Sequence, residues 1–401
     1  MIGRRWLRQL AGAVGAVCVA WSLIGGSAMA QDSQRYKSPY ARWVNGPKDD
    51  PEVFPIGVWL QNPARAGEYK AAGINFYLGL WRGPTEEQLR ELARHGMPVI
   101  AAQNAVGLAH RDEATLIGWL QQDEPDNAQP KEGGGWGPPV PPAEIVARYE
   151  RMKAADPTRP VLLNLGQGVA NDDWVGRGPD ASLDDYPQYC RGADIISFDV
   201  YPVAGIDRDD GADYLWYVAK GLDRLRRWCG EEKIIWNILE TTNISSPHQV
   251  TPHQLRAEVW MSIVHGSRGI VYFVHRFQPQ FDEARLLHDP EMLAAVTAVN
   301  REVQSLAPVI LAGEAVDGVQ VTSTDPGVPV DFAAKERGGT LYLFTVGMRN
   351  APTTAEMILP PAYRRATVEV LGEGRRFVID EGRFRDGYVP YDVHLYRIEA
   401  R

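Results

Sequence analysis

The sequence predicts a (β/α)8 barrel followed by a small antiparallel β-sandwich. Eight short apolar runs recur between residues 54 and 277, stretches with helical periodicity lie between them, and alternating strands with turn residues follow residue 312. Near-continuous apolar strands separated by helices are typical of a parallel sheet covered on both faces, and eight such units favour a closed barrel. We therefore expect a leader over 1–30, a barrel over 31–312 and a sandwich over 313–401.

The eight apolar runs have the length of buried strands. The rival fold is an open doubly wound sheet, but its first turn is normally rich in glycine, and the segment after the first run has no GxGxxG. The eight runs are FPIGVWLQ (54–61), GINFYLGLW (73–81), MPVIAAQN (97–104), IGWLQQDE (117–124), PVLLNLGQG (160–168), DIISFDVYP (194–202), KIIWNILET (233–241) and GIVYFVHRF (269–277).

Helices are predicted between these strands from the 3.6-residue spacing of apolar side chains. The first and third units are short, so we expect reduced helices there. The helical stretches are TEEQLRELARHG, PAEIVARYERMKAADP, YLWYVAKGLDRLRRWCG, TPHQLRAEVWMSIVHG and residues 289–311, and the expected sandwich strands lie in GVQVTST, TLYLFTVGM, AEMILPP, ATVEVLGEG, RRFVID and YDVHLYRIEA.

The first 30 residues have the composition of a signal peptide. Three arginines precede a short apolar run that ends in Ala28, Met29 and Ala30, so we expect export and cleavage after Ala30, to the periplasm or outside the cell. The paired arginines Arg4 and Arg5 leave twin-arginine export open. No later run of about 20 apolar residues exists, so we expect a soluble mature protein without membrane insertion.

The expected mature chain is acidic, and this charge excludes some classes of binding partner. Without residues 1–30 the chain carries 39 basic and 51 acidic residues, a net charge of about −12. This charge argues against nucleic acid or an anionic membrane surface as partner, because both attract positive patches. The oligomeric state is left open.

Two cysteines remain after the leader, Cys190 and Cys229. Each lies a few residues before an apolar strand, so in a parallel sheet both thiols come to the amino-terminal end of neighbouring strands. In an oxidising compartment this placement favours a disulfide, with two buried free thiols as the alternative.

Polar residues that end barrel strands are the first candidates for function, because the carboxyl ends of the strands form the active face of such barrels. Among them, Glu124 ends the fourth strand and Glu240 the seventh, where two carboxylates can lie across the mouth from each other. Two carboxyl groups flanking one bond are what glycoside hydrolysis requires. The full set is Gln61, Trp81, Gln103, Asn104, Asp123, Glu124, Asn164, Gln167, Asp199, Tyr201, Glu240, His275 and Arg276.

Residues 54 to about 310 resemble the retaining glycoside hydrolases of the large (β/α)8 clan, whose acid/base follows strand four and whose nucleophile ends strand seven. The resemblance rests on GWLQQDEPDN, WNILETT and AEVWMSIVHGSRGIVYFVHR, and the tail VPYDVHLYRI is similar to the last strand of the sandwich that often follows these barrels. It implies that Glu124 is the acid/base and Glu240 the nucleophile. Alternatively, each glutamate has a purely structural role and caps a helix or a turn.

One position departs from that resemblance. The clan usually has an asparagine before the acid/base glutamate, whose amide donates to the sugar 2-hydroxyl, and here the position is Asp123. A carboxylate accepts but does not donate, and its charge is expected to raise the pKa of Glu124. Sugar recognition therefore differs here, or the barrel binds glycans without cleaving them.

Further residues are predicted to bind substrate. Asp199 and Tyr201 follow strand six, where Tyr201 can hydrogen-bond the nucleophile and Asp199 can orient a catalytic group or serve as a buried structural acid. Tryptophans on active-face loops suit the apolar faces of sugars, although a tryptophan within a strand is more often core. The substrate-binding candidates are Asp123, Asn164, Asp199, Tyr201, Trp81, Trp136, Trp174 and His275, the last with a structural role as its alternative.

The sequence indicates no cofactor. No spacing of histidines and acids matches a metal site, and no GxSxG marks a serine nucleophile. The predicted function is a retaining glycoside hydrolase acting on a β-linked oligo- or polysaccharide. A catalytically silent glycan-binding protein is the alternative, and a polysaccharide lyase or transglycosylase using the same acids is a third. The sugar, its linkage and endo or exo action are open.

Overall fold

The computed structural model describes residues 38–178, 181–206 and 212–401. The signal peptide predicted for residues 1–30 lies outside these ranges. Within them, all eight predicted barrel strands are present and parallel, and an antiparallel β domain follows. The fold class predicted from the sequence is therefore confirmed.

The barrel closes through a seventh strand that is split in two. Nine strands pair in the order β7-β6-β5-β4-β3-β2-β1-β9-β8. The two end strands are consecutive in the chain and separated by Trp236 alone, so they form one barrel strand whose first half pairs with β6 and second half with β9. The strands are β1 (Ile56–Trp59), β2 (Phe76–Leu78), β3 (Val99–Ala102), β4 (Leu116–Leu120), β5 (Val161–Leu165), β6 (Ile195–Phe198), β7 (Ile234–Ile235), β8 (Asn237–Glu240) and β9 (Ile270–Phe273).

The helices agree with the predicted periodicity. The helix Glu86–His95 begins at a capping box formed by Thr85 and Gln88 and ends at Gly96, whose φ of 56° suits a residue without a side chain. The first and third units have short helices, as expected. The α-helices are Ala66–Ala71, Glu86–His95, Ala105–Ala109, Pro142–Ala155, Tyr186–Tyr189, Tyr217–Cys229, Pro252–Val264 and Pro290–Ala312.

The amino-terminal end of the barrel is filled by aromatic side chains. Trp236 donates its indole N–H to the hydroxyl of Tyr40, and that hydroxyl donates to the carbonyl of Arg268, each at 2.9 Å. Tyr40 and Trp43 belong to the same buried cluster as the inward-facing residues of the barrel strands. The interior of the barrel is therefore packed near the amino-terminal ends of its strands.

The domain after the barrel consists of two antiparallel sheets. One has the order β10-β12-β13-β18-β15-β16 and the other β11-β14-β17. Three of these strands, β10, β12 and β17, were not predicted. The strands are β10 (Glu314–Ala315), β11 (Gln320–Ser323), β12 (Val330–Arg337), β13 (Thr340–Gly347), β14 (Thr353–Ile358), β15 (Ala366–Val370), β16 (Arg375–Ile379), β17 (Arg383–Tyr388) and β18 (Val393–Ala400).

The last two barrel helices carry the β domain. Trp260 of helix Pro252–Val264 packs against Phe344 of β13 with ring centroids 5.1 Å apart. Arg256 on the same helix pairs with Glu302 and donates to the carbonyl of Val393 in β18. One helix face is thus shared by both parts of the chain.

A disulfide joins Cys190 and Cys229, with their Cα atoms 5.2 Å apart. Cys190 precedes β6, and Cys229 ends the helix that precedes β7. The bond therefore closes a covalent loop around β6, the segment after it and the next helix. Among the described residues, no helix combines the length and apolar character needed to cross a bilayer.

Candidate active site

Strained backbone is concentrated at the open mouth of the barrel. Of the five non-glycine residues with positive φ in the described ranges, four follow barrel strands: Leu60, Arg82, Glu124 and Ile244. Glu124 has a φ of 41°. Such conformations cost about 1–3 kcal/mol each and persist where the surrounding structure imposes them, often at functional sites.

Glu124 and Asp199 form a carboxyl pair at this mouth. Asp199 is 9% exposed, and its carboxyl lies within hydrogen-bonding reach of the Glu124 carboxyl. Burial, then the nearby charges of Glu124 and Asp123, raise the pKa of Asp199 well above its usual range. Asp199 also accepts a hydrogen bond of 3.0 Å from the Tyr201 hydroxyl. Burial and the two neighbouring carboxyls therefore favour the protonated form of Asp199.

The backbone around Glu124 leaves room for its carboxyl. Its main-chain N–H donates to the carbonyl of Asn164 at the end of β5, which fixes the loop after β4. A Cβ atom at Gly166 would lie 2.9 Å from Oε1 of Glu124 and 2.6 Å from the amide nitrogen of Asn127. A side chain at 166 would therefore displace the side chains of Asn127 and Glu124.

Asp123 is oriented by Asn164. The side-chain amide of Asn164 donates to Asp123 at 3.0 Å and accepts from the Ser197 hydroxyl at 2.8 Å. Desolvation by the surrounding residues, then the charge of Glu124, raises the pKa of Asp123 to about 7. The residue is nevertheless exposed at the mouth. The charge of Glu124 thus acts on the pKa of Asp123.

Asp126 is a structural acid that the sequence interpretation passed over. It is fully buried and accepts hydrogen bonds from the N–H of Gly166 and the hydroxyl of Tyr186, at 2.9 and 3.0 Å. Burial raises its pKa to about 6. Asp126 therefore connects the loop after β4 to the loop after β5 and stabilises the backbone next to Glu124.

Glu240 ends the seventh barrel strand but has no exposed surface. Its two carboxylate oxygens accept hydrogen bonds from the main-chain N–H groups of Val203 and Ala204, both at 2.7 Å. Burial raises the pKa of Glu240 to about 7, although these two hydrogen bonds act in the opposite direction. Glu240 therefore holds the segment after β6 in its present position.

Glu258 of helix Pro252–Val264 lies beside Glu240 and is also fully buried. Neither of its oxygens accepts a hydrogen bond from an N–H or O–H of the described residues, and its polar neighbour is the carboxyl of Glu240. Burial and the charge of Glu240 raise its pKa well above the usual range. A proton shared between the two glutamates satisfies this second carboxyl pair.

One short segment joins the two carboxyl pairs. Residues 199–204 begin with Asp199, the partner of Glu124, and end with the two N–H groups that bind Glu240. The structure thus places both predicted glutamates around the segment after β6. Their side-chain environments differ, since Glu124 is partly exposed and Glu240 is sealed.

An aromatic pocket of about 950 Å³ opens at the carboxyl ends of β1, β2 and β9. Its exposed rings are Trp81, Phe277 and Phe281, and the rings of Phe277 and Phe281 stack with centroids 5.8 Å apart. Phe273 lies between this pocket and the carboxyls, because its ring is 5.2 Å from that of Tyr201 and 5.1 Å from that of His275. The pocket therefore adjoins the Glu124 and Asp199 pair.

His275 supports the wall of this pocket. Gln61 donates to Nε2 of His275 at 3.2 Å and to the carbonyl of Glu283 at 2.7 Å, while its oxygen accepts from Tyr69. Because Gln61 donates, His275 is neutral with its proton on Nδ1, and burial lowers its pKa to about 4. The structure thus gives His275 a supporting position.

The two loop tryptophans occupy different environments. Trp174 donates to the side-chain oxygen of Asn127 at 2.8 Å, and Asn127 follows Glu124 in the same loop. Trp136 is 68% exposed in the loop after β4, where it forms a bridge with Pro130. Trp174 therefore lies near the carboxyls, whereas Trp136 is presented to solvent.

The fold is similar to those of solved glycosidases. Compared with a catalytic mutant of the GH42 β-galactosidase Gan42B from G. stearothermophilus, the TM-score is 0.55 at 10% identity, covering 90% of this chain and 100% of that chain. For the maltogenic α-amylase AmyB from Thermotoga neapolitana the TM-score is 0.53 at 10% identity, covering 88% and 100%. For the α-amylase GTA from Geobacillus thermoleovorans, complexed with acarbose, it is 0.51 at 11% identity, covering 88% and 100%.

At these identities the likeness concerns the fold. The similar structures include both α- and β-acting enzymes, so they do not select a linkage. No family model matches the sequence, and no curated protein matches it. The chain thus has a glycoside hydrolase-like barrel whose chemistry has to be argued from its own residues.

The structure brings together Asp123, Glu124, Asn164, Asp199 and Tyr201, and it groups Trp81 with His275 in the adjoining pocket. Sequence reasoning missed Glu258, Phe277 and Phe281. The signal for Glu258 was a single acid in the mainly apolar segment AEVWMSIV. The signal for Phe277 and Phe281 was the presence of two phenylalanines in the polar loop RFQPQFDE. No group of three metal-binding side chains occurs within the described ranges.

Proposed function

We propose that this protein is a glycoside hydrolase whose acid catalyst is Glu124. The observation that carries the proposal is the carboxyl pair of Glu124 and Asp199 at the barrel mouth, beside a pocket of exposed aromatic rings. Protonation of a leaving sugar oxygen needs a carboxyl that stays protonated near neutral pH. A pair sharing one proton provides that group without a cofactor.

The positions of Glu124, Asp199 and Tyr201 support a path for the proton. Asp199 holds the proton of the pair in the resting site and accepts from Tyr201, while Glu124 is the partly exposed member that a bound sugar can contact. In this proposal the proton moves from the pair, through Glu124, to the departing oxygen. The pair is then left with two negative charges, which favours taking a proton back from the attacking water.

The finer form of the proposal is double displacement on a β-linked glycan, with Glu240 as the nucleophile. Attack on the anomeric carbon requires a free carboxylate oxygen in contact with the sugar. Both oxygens of Glu240 are engaged by Val203 and Ala204 and its surface is buried, so this form requires the segment 199–204 to move when substrate binds.

Two glutamine variants test these roles. Glu124→Gln is expected to lower kcat on unactivated glycans by about 100-fold or more, and less on aryl glycosides with good leaving groups, because those need little protonation. Retention of the β configuration in the product, read by NMR, with loss of turnover in Glu240→Gln, supports double displacement. An inverted product or an active Glu240→Gln variant contradicts the nucleophile role.

A glycan-binding protein without hydrolase activity is the second candidate. The burial of Glu240 favours it, because no second carboxylate of strand seven is presented to a bound sugar. Binding of oligosaccharides without turnover, across α- and β-linked substrates, supports this candidate. Unsaturated or transferred products identify a lyase or a transglycosylase instead.

We also propose that the chain is exported and cleaved after Ala30. The Cys190–Cys229 disulfide supports export, since such bonds persist in oxidising compartments. Intact-mass measurement of the protein from its native host tests the cleavage, and a mass that includes residues 1–30 contradicts it.

A further inference from the structure

We propose that the aromatic pocket is an accessory sugar subsite that accepts glycan units without acidic groups and excludes uronic and sulfated ones. The inference rests on the proposed function in that it takes the ligand to be a glycan. It adds the location of a second contact region and the charge class of the substrate. It does not depend on which carboxyl performs the chemistry.

Three exposed aromatic rings line the pocket. Phe281 is 64% exposed, Phe277 49% and Trp81 66%. Solvated aromatic rings at this density are costly for folding alone, and they match the apolar faces of sugar rings. The stacked rings of Phe277 and Phe281 form one wall, and Trp81 lies in the loop after β2 on the other side of the pocket.

The ring orientation is fixed before a ligand arrives. His275 stacks with both Phe277 and Phe281, with ring centroids 6.1 and 6.2 Å apart and interplanar angles of 7° and 21°. Gln61 and Tyr69 hold His275 in turn. A preformed aromatic wall lowers the ordering cost of binding, which suits a subsite.

The charge of the lining decides the class of sugar. Glu87, Glu91 and Glu283 line the pocket, and no lysine or arginine does. Glu91 forms an ion pair with Arg94 at 2.6 Å, whereas no ion pair involves Glu87 or Glu283 in the described part of the chain. A carboxylate or sulfate on the sugar therefore meets the like charge of Glu87 and Glu283 and loses affinity.

The cations at the rim do not reverse this balance. Arg82 lies over the Trp81 ring at 5.6 Å, and Arg276 pairs with Asp282. Arg65 is close enough to Glu283 for their charges to interact, but it pairs with Glu68 at 2.9 Å. None of these three arginines lines the pocket. Neutral sugars bind through the rings alone, and amino sugars gain attraction to the two unpaired glutamates.

Binding to the full-length mature protein tests the subsite. The probes are neutral hexasaccharides of β-1,4-glucose, β-1,4-xylose, β-1,4-mannose, β-1,3-glucose and α-1,4-glucose, a deacetylated chitohexaose and an oligogalacturonate, followed by tryptophan fluorescence and calorimetry. We expect at least one neutral or amino hexamer to bind, and the oligogalacturonate to bind at least about 10-fold more weakly.

Variants separate the subsite from the catalytic groups. Phe281→Ala and Phe277→Ala are each expected to raise Kd by about 3- to 10-fold. Val378→Ala, at a residue 49% exposed in the β domain, is the matched control and leaves Kd unchanged. Glu87→Gln with Glu283→Gln is expected to strengthen oligogalacturonate binding by a similar factor.

The outcomes distinguish this inference from the proposed function. Binding that weakens in Phe281→Ala, in a protein that turns over no substrate, upholds the subsite and overturns the hydrolase. Turnover that is unchanged in Phe277→Ala and Phe281→Ala, on aryl glycosides and hexamers alike, overturns the subsite and upholds the hydrolase. Strongest binding by the oligogalacturonate, or no binding by any hexamer, also overturns the subsite.

Discussion

At the scale of single residues, the proposed function depends on a proton between the carboxyls of Glu124 and Asp199. Two carboxyl groups at hydrogen-bonding distance do not both ionise readily, so the pair titrates as a unit. Tyr201 stabilises the Asp199 member through its hydroxyl. Any pH dependence of activity should therefore report the pair rather than one side chain.

Asp199→Asn tests the shared proton. The variant keeps the shape of the side chain but removes the carboxyl whose raised pKa lets it hold the proton in the proposed mechanism. We expect kcat to fall by about 100-fold and the alkaline limb of the pH profile of kcat/KM to move to lower pH. Asp172→Asn, which removes a surface acid paired with Lys220 and Arg224, is the control. An unmoved alkaline limb would falsify the shared proton.

Glu258→Gln tests the buried pair behind the segment 199–204. The raised pKa values of Glu240 and Glu258 mean that the folded chain keeps a proton that the unfolded chain has released. The free energy of unfolding therefore falls as pH rises from about 4.5 to about 7, the ordinary and folded pKa values of Glu240. We expect Tm of the variant at pH 8 to exceed that of the parent by about 2–4 °C, because the amide donates to Glu240 without titrating.

The matched control for this variant is Glu144→Gln, a change at an exposed glutamate. Thermal unfolding from pH 5 to pH 8 should show a shallower pH dependence of Tm for Glu258→Gln alone. Equal slopes for the parent, Glu258→Gln and Glu144→Gln would rule out a titrating pair.

The sequence predicted where the candidate residues lie in the barrel better than it described the environment of each side chain. Strand ends predicted the positions of Glu124, Asp199 and Tyr201, because the carboxyl ends of parallel strands converge. The burial of Glu240 was not predictable, since it depends on where the Val203 and Ala204 backbone folds back. Contacts between residues distant in the chain leave no local pattern.

At the scale of elements, apolar runs predicted the barrel strands, which are buried on both faces. The same signal missed strands of the β domain whose sequences are not apolar. All eight barrel strands were found in this way. The strand β12 was missed, because its sequence VDFAAKER carries helix-forming and charged residues. It is a strand because all eight of its residues pair with β13, so tertiary pairing overrides local propensity. The charged β17 (RFRDGY) is a strand for the same reason, through β14.

The helix Glu86–His95 links local sequence signals to the aromatic pocket. Thr85 accepts from the N–H of Gln88, and Gln88 donates to the carbonyl of Trp81 at 3.0 Å. We expect Thr85→Ala to lower the free energy of unfolding by about 1 kcal/mol, because the first turn loses its cap. Urea titration measures this loss, and Ser305→Ala, at an exposed serine inside helix Pro290–Ala312, is the control. A loss equal to that of Ser305→Ala would contradict the capping role.

At the scale of the whole molecule, the barrel and the β domain share a helix that is buried nearly all round. Helix Pro252–Val264 places Asn237 of the barrel against Ser262 and the β domain against Trp260. The change in strand pattern after residue 312 indicated where the second part begins. The sequence pattern did not predict that helix Pro252–Val264 contacts the β domain. Its sequence is equally typical of a barrel helix that packs through one apolar face.

A chain ending at Gly313 tests the dependence of the barrel on the β domain. Removing residues 314–401 exposes Trp260 and its neighbours, so we expect aggregation or a loosely packed barrel that binds a hydrophobic dye. Gel filtration and dye fluorescence measure this outcome, with the mature chain as reference. A monodisperse barrel with the Tm of the mature chain would show that the two parts are independent.

The Cys190–Cys229 disulfide bears on how the protein withstands proteases. The bond spans 39 residues that include β6, Asp199 and the segment that binds Glu240. A single backbone cut between the two cysteines leaves both fragments covalently attached, so the segment that binds Glu240 stays joined to the rest of the barrel after such a cut. Such a cut would be invisible on a gel run without reductant and would show as two bands once the disulfide is reduced.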